Sequence, residues 1–170
     1  MPQQTLQQCL ANLSAPGIKY SSLAPSLKVY PTASDVPWSQ ALVVRDNFNG
    51  SEFVTVRDHH YEQDVIKNRQ AGIMSSWGLD TVHFSAYGTT RAGSVQFEAK
   101  SATVKVGDRL FQLDKKLESL FSVTPDLANA LQSREDVVVR LVLENGRTVT
   151  YPIGSGTIKE WSRMLGLFCA

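Results

Sequence analysis

The sequence predicts a single α+β domain: a largely antiparallel β-sheet, several short helices packed on it, and a proline-rich N-terminal arm. Three observations lead there. From about residue 41 onward, short apolar runs separated by turn-forming residues recur, as strands require. Helical signals interrupt them only in short stretches, at 59–70, 114–121, 124–132 and beyond 157. Before them, Pro16, Pro25, Pro31 and Pro37 punctuate a serine-rich segment that can form neither a long helix nor a central strand. The expected organisation is a helix and arm over 1–40, packed on a β-rich body over 41–170.

The elements follow in order. Thr5 and Gln8 stand at capping-box spacing, and Leu6, Cys9, Leu10 and Leu13 share one face, predicting a helix over 5–13. The arm, 14–39, is expected to be extended and pinned by Tyr20, Leu23, Leu27, Val29, Tyr30 and Trp38. Strands are expected over 41–44, 53–57, 81–86, 94–100, 102–106 and 109–113, the last two joined through Gly107-Asp108, a tight-hairpin pair. Thr124-Pro125-Asp126 starts a short helix, with Thr as N-cap and Pro in the first turn. In VVVRLVLENGRTVTYPI, Asn145-Gly146 predicts a two-residue type I′ turn, pairing Glu144 with Arg147 and Val142 with Val149. Thr157 to Glu160 reads as a capping box opening a last helix, with Ile158, Trp161, Leu165 and Phe168 on its inner stripe.

Composition narrows the function classes. A chain of 170 residues with 42% hydrophobic residues buries a core without staples. Net charge is +1 with scattered Lys and Arg, so nucleic-acid and membrane-surface binding are not expected. The N-terminus has no positive charge ahead of a long apolar run; a cytoplasmic setting is expected, unless a signal peptide has been removed. Cys9 and Cys169 lie near opposite ends of the chain and form no Cys-x-x-Cys. Two free thiols in a reducing compartment are expected, with a bridge between the ends as the alternative.

The stretch VTVRDHHYEQD gathers most of the ionisable side chains that chemistry could use. Asp58-His59-His60 resembles one motif of the DHH phosphoesterases, but no histidine precedes His59 and the family's glycine-rich motif is missing. On a helix starting near Asp58, His60 and Asp64 would stand at i, i+4, a sound ligand pair for a transition metal if His83 or Glu62 joined them. The simpler reading makes Asp58 an N-cap, with Glu62 and Asp64 near the positive helix end and both histidines on the surface. No bound metal and no cofactor are expected. Gly154 to Thr157 reads as a structural turn rather than a phosphate cradle, since neither P-loop nor GxGxxG is present.

Trp38, near the end of the arm, and Trp77, in an expected loop, fit no periodic core pattern and lie among small or turn-forming residues. They are the candidate binding residues, and at least one of them is expected to be solvent-accessible on the interaction patch. The function expected from the sequence is a non-catalytic binding or protein-interaction module, with a protein partner or a second copy of the chain. A small metal-dependent or acid–base hydrolase centred on Asp58, His59, His60 and His83 is the alternative. A structural subunit of a larger assembly is the third reading.

Overall fold

A computed structural model describes residues 5–169, the side chain of Ala33 excepted. Helices are α1 (Leu6–Leu13), α2 (Tyr20–Leu23), α3 (Pro125–Leu131) and α4 (Ser155–Cys169). Strands are β1 (Lys28–Tyr30), β2 (Leu42–Arg45), β3 (Glu52–Asp64), β4 (Arg69–Trp77), β5 (Thr81–Thr90), β6 (Gly93–Phe97), β7 (Ala99–Val106), β8 (Arg109–Gln112), β9 (Lys115–Leu117), β10 (Leu120–Ser122), β11 (Val137–Leu143) and β12 (Thr148–Ile153). One sheet runs β1-β2-β3-β4-β5-β10-β9 with β6 also on β5; the other runs β12-β11-β7-β8. Among the described residues, the pairings between these strands are antiparallel except β1 with β2. The α+β class with a dominant antiparallel sheet is therefore observed.

One core joins both sheets to α3 and α4. Val56, Trp77 and Phe84 meet Val104, Leu141 and Trp161 in it. The five on strands each alternate with a residue facing away, as the two-residue period requires, while Trp161 reaches in from α4. Thr5 and Gln8 form the expected capping box of α1, and Thr124 caps α3.

Four expectations are corrected. The stretch 59–70 is not a helix but the outer half of β3, a turn and the start of β4. Turn chemistry decides this: Asp64 accepts the N–H groups of Ile66 and Lys67, and Asn68 takes a left-handed φ of 49°. Residues 114–121 likewise form β9 and β10 around Ser119 at φ 56°. In the β11–β12 hairpin the register slips by one residue, so that Val142 pairs with Thr148 and Leu141 with Val149. Gly146 donates to the Leu143 carbonyl and sits at φ 83°, giving a three-residue loop closed by a left-handed glycine instead of a type I′ turn. Finally, Cys9 and Cys169 are bonded to each other, with their Cα atoms 5.7 Å apart. Disulfides persist in oxidising surroundings, so this bond points to such a setting and leaves the expected cytoplasmic one unconfirmed. Among the described residues no helix is long and apolar enough to cross a membrane.

The segment read as an extended arm holds α2 and β1 as well as irregular chain. Leu27 is buried as expected, while Leu23 and Val29 are exposed. Its attachment is polar as much as apolar. Glu52 on β3 accepts from Ser21 N at 2.9 Å, Ser21 Oγ at 2.7 Å and Arg45 Nε at 2.8 Å. Burial raises the Glu52 pKa, but the hydrogen bonds from Ser21 and Arg45 and the Arg45 charge outweigh it and lower it to about 2. A carboxyl depressed in the folded state stabilises fully above its unfolded pKa, near 4.5, and loses that contribution as pH falls toward 2. Glu52→Gln is expected to cost about 1–3 kcal/mol near neutrality, from charge-assisted hydrogen bonds, and much less near pH 2. Urea denaturation at both pH values checks this; an equal cost at both would show that the charge is not what holds α2.

Candidate functional site

Alternation along β3, β4 and β5 sorts the ionisable residues of the central stretch onto two faces. The pairing register aligns Arg57 with Ser76 and His83, His59 with Met74 and Ser85, and Tyr61 with Gly72 and Tyr87. These rows share the outer face, opposite the one that carries Val56, Trp77 and Phe84 into the core. Asp58 and His60 point the other way. The structure thus brings His59 and His83 to one face and separates both from Asp58 and His60, so the four do not converge.

Asp58 is not the N-cap of a local helix, since its own segment is a strand. It is buried, accepts a hydrogen bond from Thr157 Oγ1, and faces Gly154 N at 3.4 Å. The Gly154–Thr157 turn therefore does hold an anion at a helix N-terminus, and the anion is the protein's own carboxylate. The expected Thr157–Glu160 capping box is replaced: α4 begins at Ser155, Thr157 donates to Asp58, and Glu160 accepts from Ala41 N and Arg163. His60 packs against Tyr151, their ring centroids 5.3 Å apart.

Trp77 is fully buried, which corrects its candidacy as a binding residue in a loop. It ends β4, its Nε1 donates to Ser75 Oγ at 2.9 Å, and Phe84 meets it edge-on at 5.8 Å. Trp38 does lie at the surface, 41% exposed, in a single parallel bridge to Arg57 beside β3.

Around Trp38 the outer face forms a connected aromatic platform. Its ring stands 5.1 Å from His59, which stands 5.2 Å from Tyr61 and 5.6 Å from Tyr87. The Arg57 guanidinium lies 4.4 Å over the Trp38 ring, a cation–π contact. Tyr61 is 51% exposed. Gly72 lies between Tyr61 and Tyr87 in their row, where a Cβ would meet His60 O and the Tyr61 backbone. Only glycine allows that close approach.

A hydrogen-bond chain fixes the platform. Gln70 Nε2 donates to Tyr87 Oη at 2.7 Å, and Tyr87 Oη lies 2.6 Å from His59 Nε2. Tyr87 Oη accepts from Gln70, and its contact with His59 is closed by a proton from either partner, according to the imidazole tautomer. Burial lowers the His59 pKa, Asp58 opposes, and His60 and Arg57 lower it further. Burial alone lowers that of His83. Both imidazoles are thereby biased toward the neutral form.

Nearer the β4–β5 turn the same face sinks into a depression of about 230 Å³, lined by Phe53, Thr55, Ser76, Asp80, His83 and Leu120 among others. Thr55 is 2% exposed and its Oγ1 has no hydrogen-bond partner. Among the described residues no group of three or more His, Cys, Asp and Glu side chains could hold a metal ion. Chemically, the face offers stacking surfaces, hydroxyls, amides and neutral imidazoles. The chain matches no protein-family model, no curated protein and no solved structure.

Sequence reasoning found Trp38, His59 and His83 but missed Arg57, Tyr61, Gln70 and Tyr87. A signal was present: Arg57, His59 and Tyr61 recur at every second residue, as do His83, Ser85 and Tyr87.

Proposed function

We propose that the protein is a non-catalytic binding module whose contact surface is the outer face of β3, β4 and β5. The observation that carries this reading is the run of ring contacts from Trp38 through His59 to Tyr61 and Tyr87 on an open sheet face, with two of the four rings largely accessible. Aromatic side chains with a polar tip give large contact area at low entropic cost, and here the Gln70–Tyr87–His59 chain holds them in place before any ligand arrives. Asp58, the carboxylate next to His59 in the chain, is committed to the N-terminus of α4, which favours binding over acid–base chemistry.

The test is photo-crosslinking. A benzophenone amino acid replaces Tyr61 in one sample and exposed Lys105, on β7 of the other sheet, in a control. A discrete adduct in the native host at position 61 and none at 105 is expected. Equal labelling at both positions, or none at 61, would remove the platform as the contact surface.

A further inference from the structure

We infer that the ligand of this face is a neutral oligosaccharide, lying along β3 from the Trp38 platform to the depression beside Thr55; the inference rests on the contact surface proposed above. Charge is the first argument. Alternation assigns to the outer face of β3, β4 and β5 no Asp or Glu, and one Arg, whose guanidinium is stacked on Trp38; Asp80, between β4 and β5, adds one carboxylate to the lining of the depression. With both imidazoles biased toward neutrality, one Arg is set against one Asp along the whole site, a balance that gives no concentrated field for a polyanion or a polycation.

Side-chain chemistry is the second argument. Exposed rings alternate with Gln70, Ser76, Ser85 and Thr89, groups that both stack on apolar C–H faces and exchange hydrogen bonds with hydroxyls. A protein interface of stable size needs an apolar, desolvated centre. The middle of this face holds Met74 among Gly72, Ser76 and Ser85, one apolar side chain rather than an apolar cluster, so a hydroxylated ring fits it better than a protein surface.

Thr55 supplies the third, independent argument. A buried hydroxyl without a partner carries a desolvation cost that a ligand group can remove once the lining of the depression yields to admit it, since Oγ1 itself is closed to solvent. A sugar hydroxyl both donates and accepts, so it satisfies Thr55 Oγ1 in either sense. Thr55 and His59 lie four residues apart on one strand face, roughly 13 Å at the usual rise, a span for several linked rings rather than one.

The test titrates the oxidised full chain with maltohexaose, cellohexaose, xylohexaose and chitohexaose, with hexagalacturonate as the anionic control, by NMR and calorimetry. Binding of a neutral hexasaccharide is expected, weakened about tenfold or more in both Trp38→Ala and Thr55→Val, the loss of one stack or one hydrogen bond. Thr55→Ser should restore it, which a purely structural role for the methyl group would not allow. Loss in Trp38→Ala with no change in Thr55→Val would overturn the subsite at Thr55. Preference for hexagalacturonate would overturn the neutral class. No saccharide binding together with a discrete protein adduct at position 61 would overturn the ligand class and leave the contact surface standing. Failure of both experiments would remove both.

Discussion

Trp77→Ala is expected to destabilise the protein by about 3–5 kcal/mol, the range for truncating a large aromatic in a core. Trp77 is fully buried and meets Phe84, which in turn meets Phe121 at 5.9 Å. The neighbouring carbonyl of Gly78 accepts from Trp161 Nε1 at 2.7 Å, so the end of β4 also ties α4 to the sheet. Truncation empties the junction of three layers, and removes the partner of buried Ser75. Trp38→Ala, at a 41% exposed position, should cost only about 1 kcal/mol, the scale of its exposed cation–π contact with Arg57. Urea denaturation of the two variants decides the matter. Similar small costs would place Trp77 outside the core and reverse the faces of β4, because a one-residue slip exchanges every side chain.

The same residue shows what limits a reading of the chain. Ser75, Ser76 and Gly78 surround Trp77 with a loop's composition, yet the serines serve opposite faces of a strand: Ser75 accepts the indole N–H, while Ser76 looks outward. Hairpins with a strong dipeptide signal were legible, as at Gly107-Asp108, where Val106 pairs with Arg109. Where polar residues occupy both faces, the two-residue period is hidden. His59 to Asp64 extends beyond the core, so neither face of that strand is apolar and the helical reading had nothing to contradict it. The platform was half-hidden for another reason. Tyr61 and Tyr87 are 26 positions apart in the chain and meet across Gly72 only through the register of three strands. Trp38 could be noticed because it broke a pattern; its neighbours kept to one.

Reduction of the Cys9–Cys169 bond should lower the unfolding free energy by about 2–5 kcal/mol. The closed loop spans a sequence separation of 160, and the chain-entropy relation gives about 5 kcal/mol for a ring of that size. The measured loss should fall below that figure, because α1 is short and can separate from α4 while the sheets stay folded. Leu10, in the core, and the edge-on contact of Tyr20 with Phe168 at 5.5 Å resist that separation, but only across a small area. Reduced protein should therefore exchange the amides of α1 first, ahead of global unfolding. Urea denaturation with and without dithiothreitol measures the total, and a Cys9→Ser, Cys169→Ser double variant should match the reduced protein and ignore the reductant. Thiol titration of the oxidised protein in urea supplies the decisive control: two reactive thiols without reductant would mean that the bond does not form, and the oxidising setting it points to would fall with it.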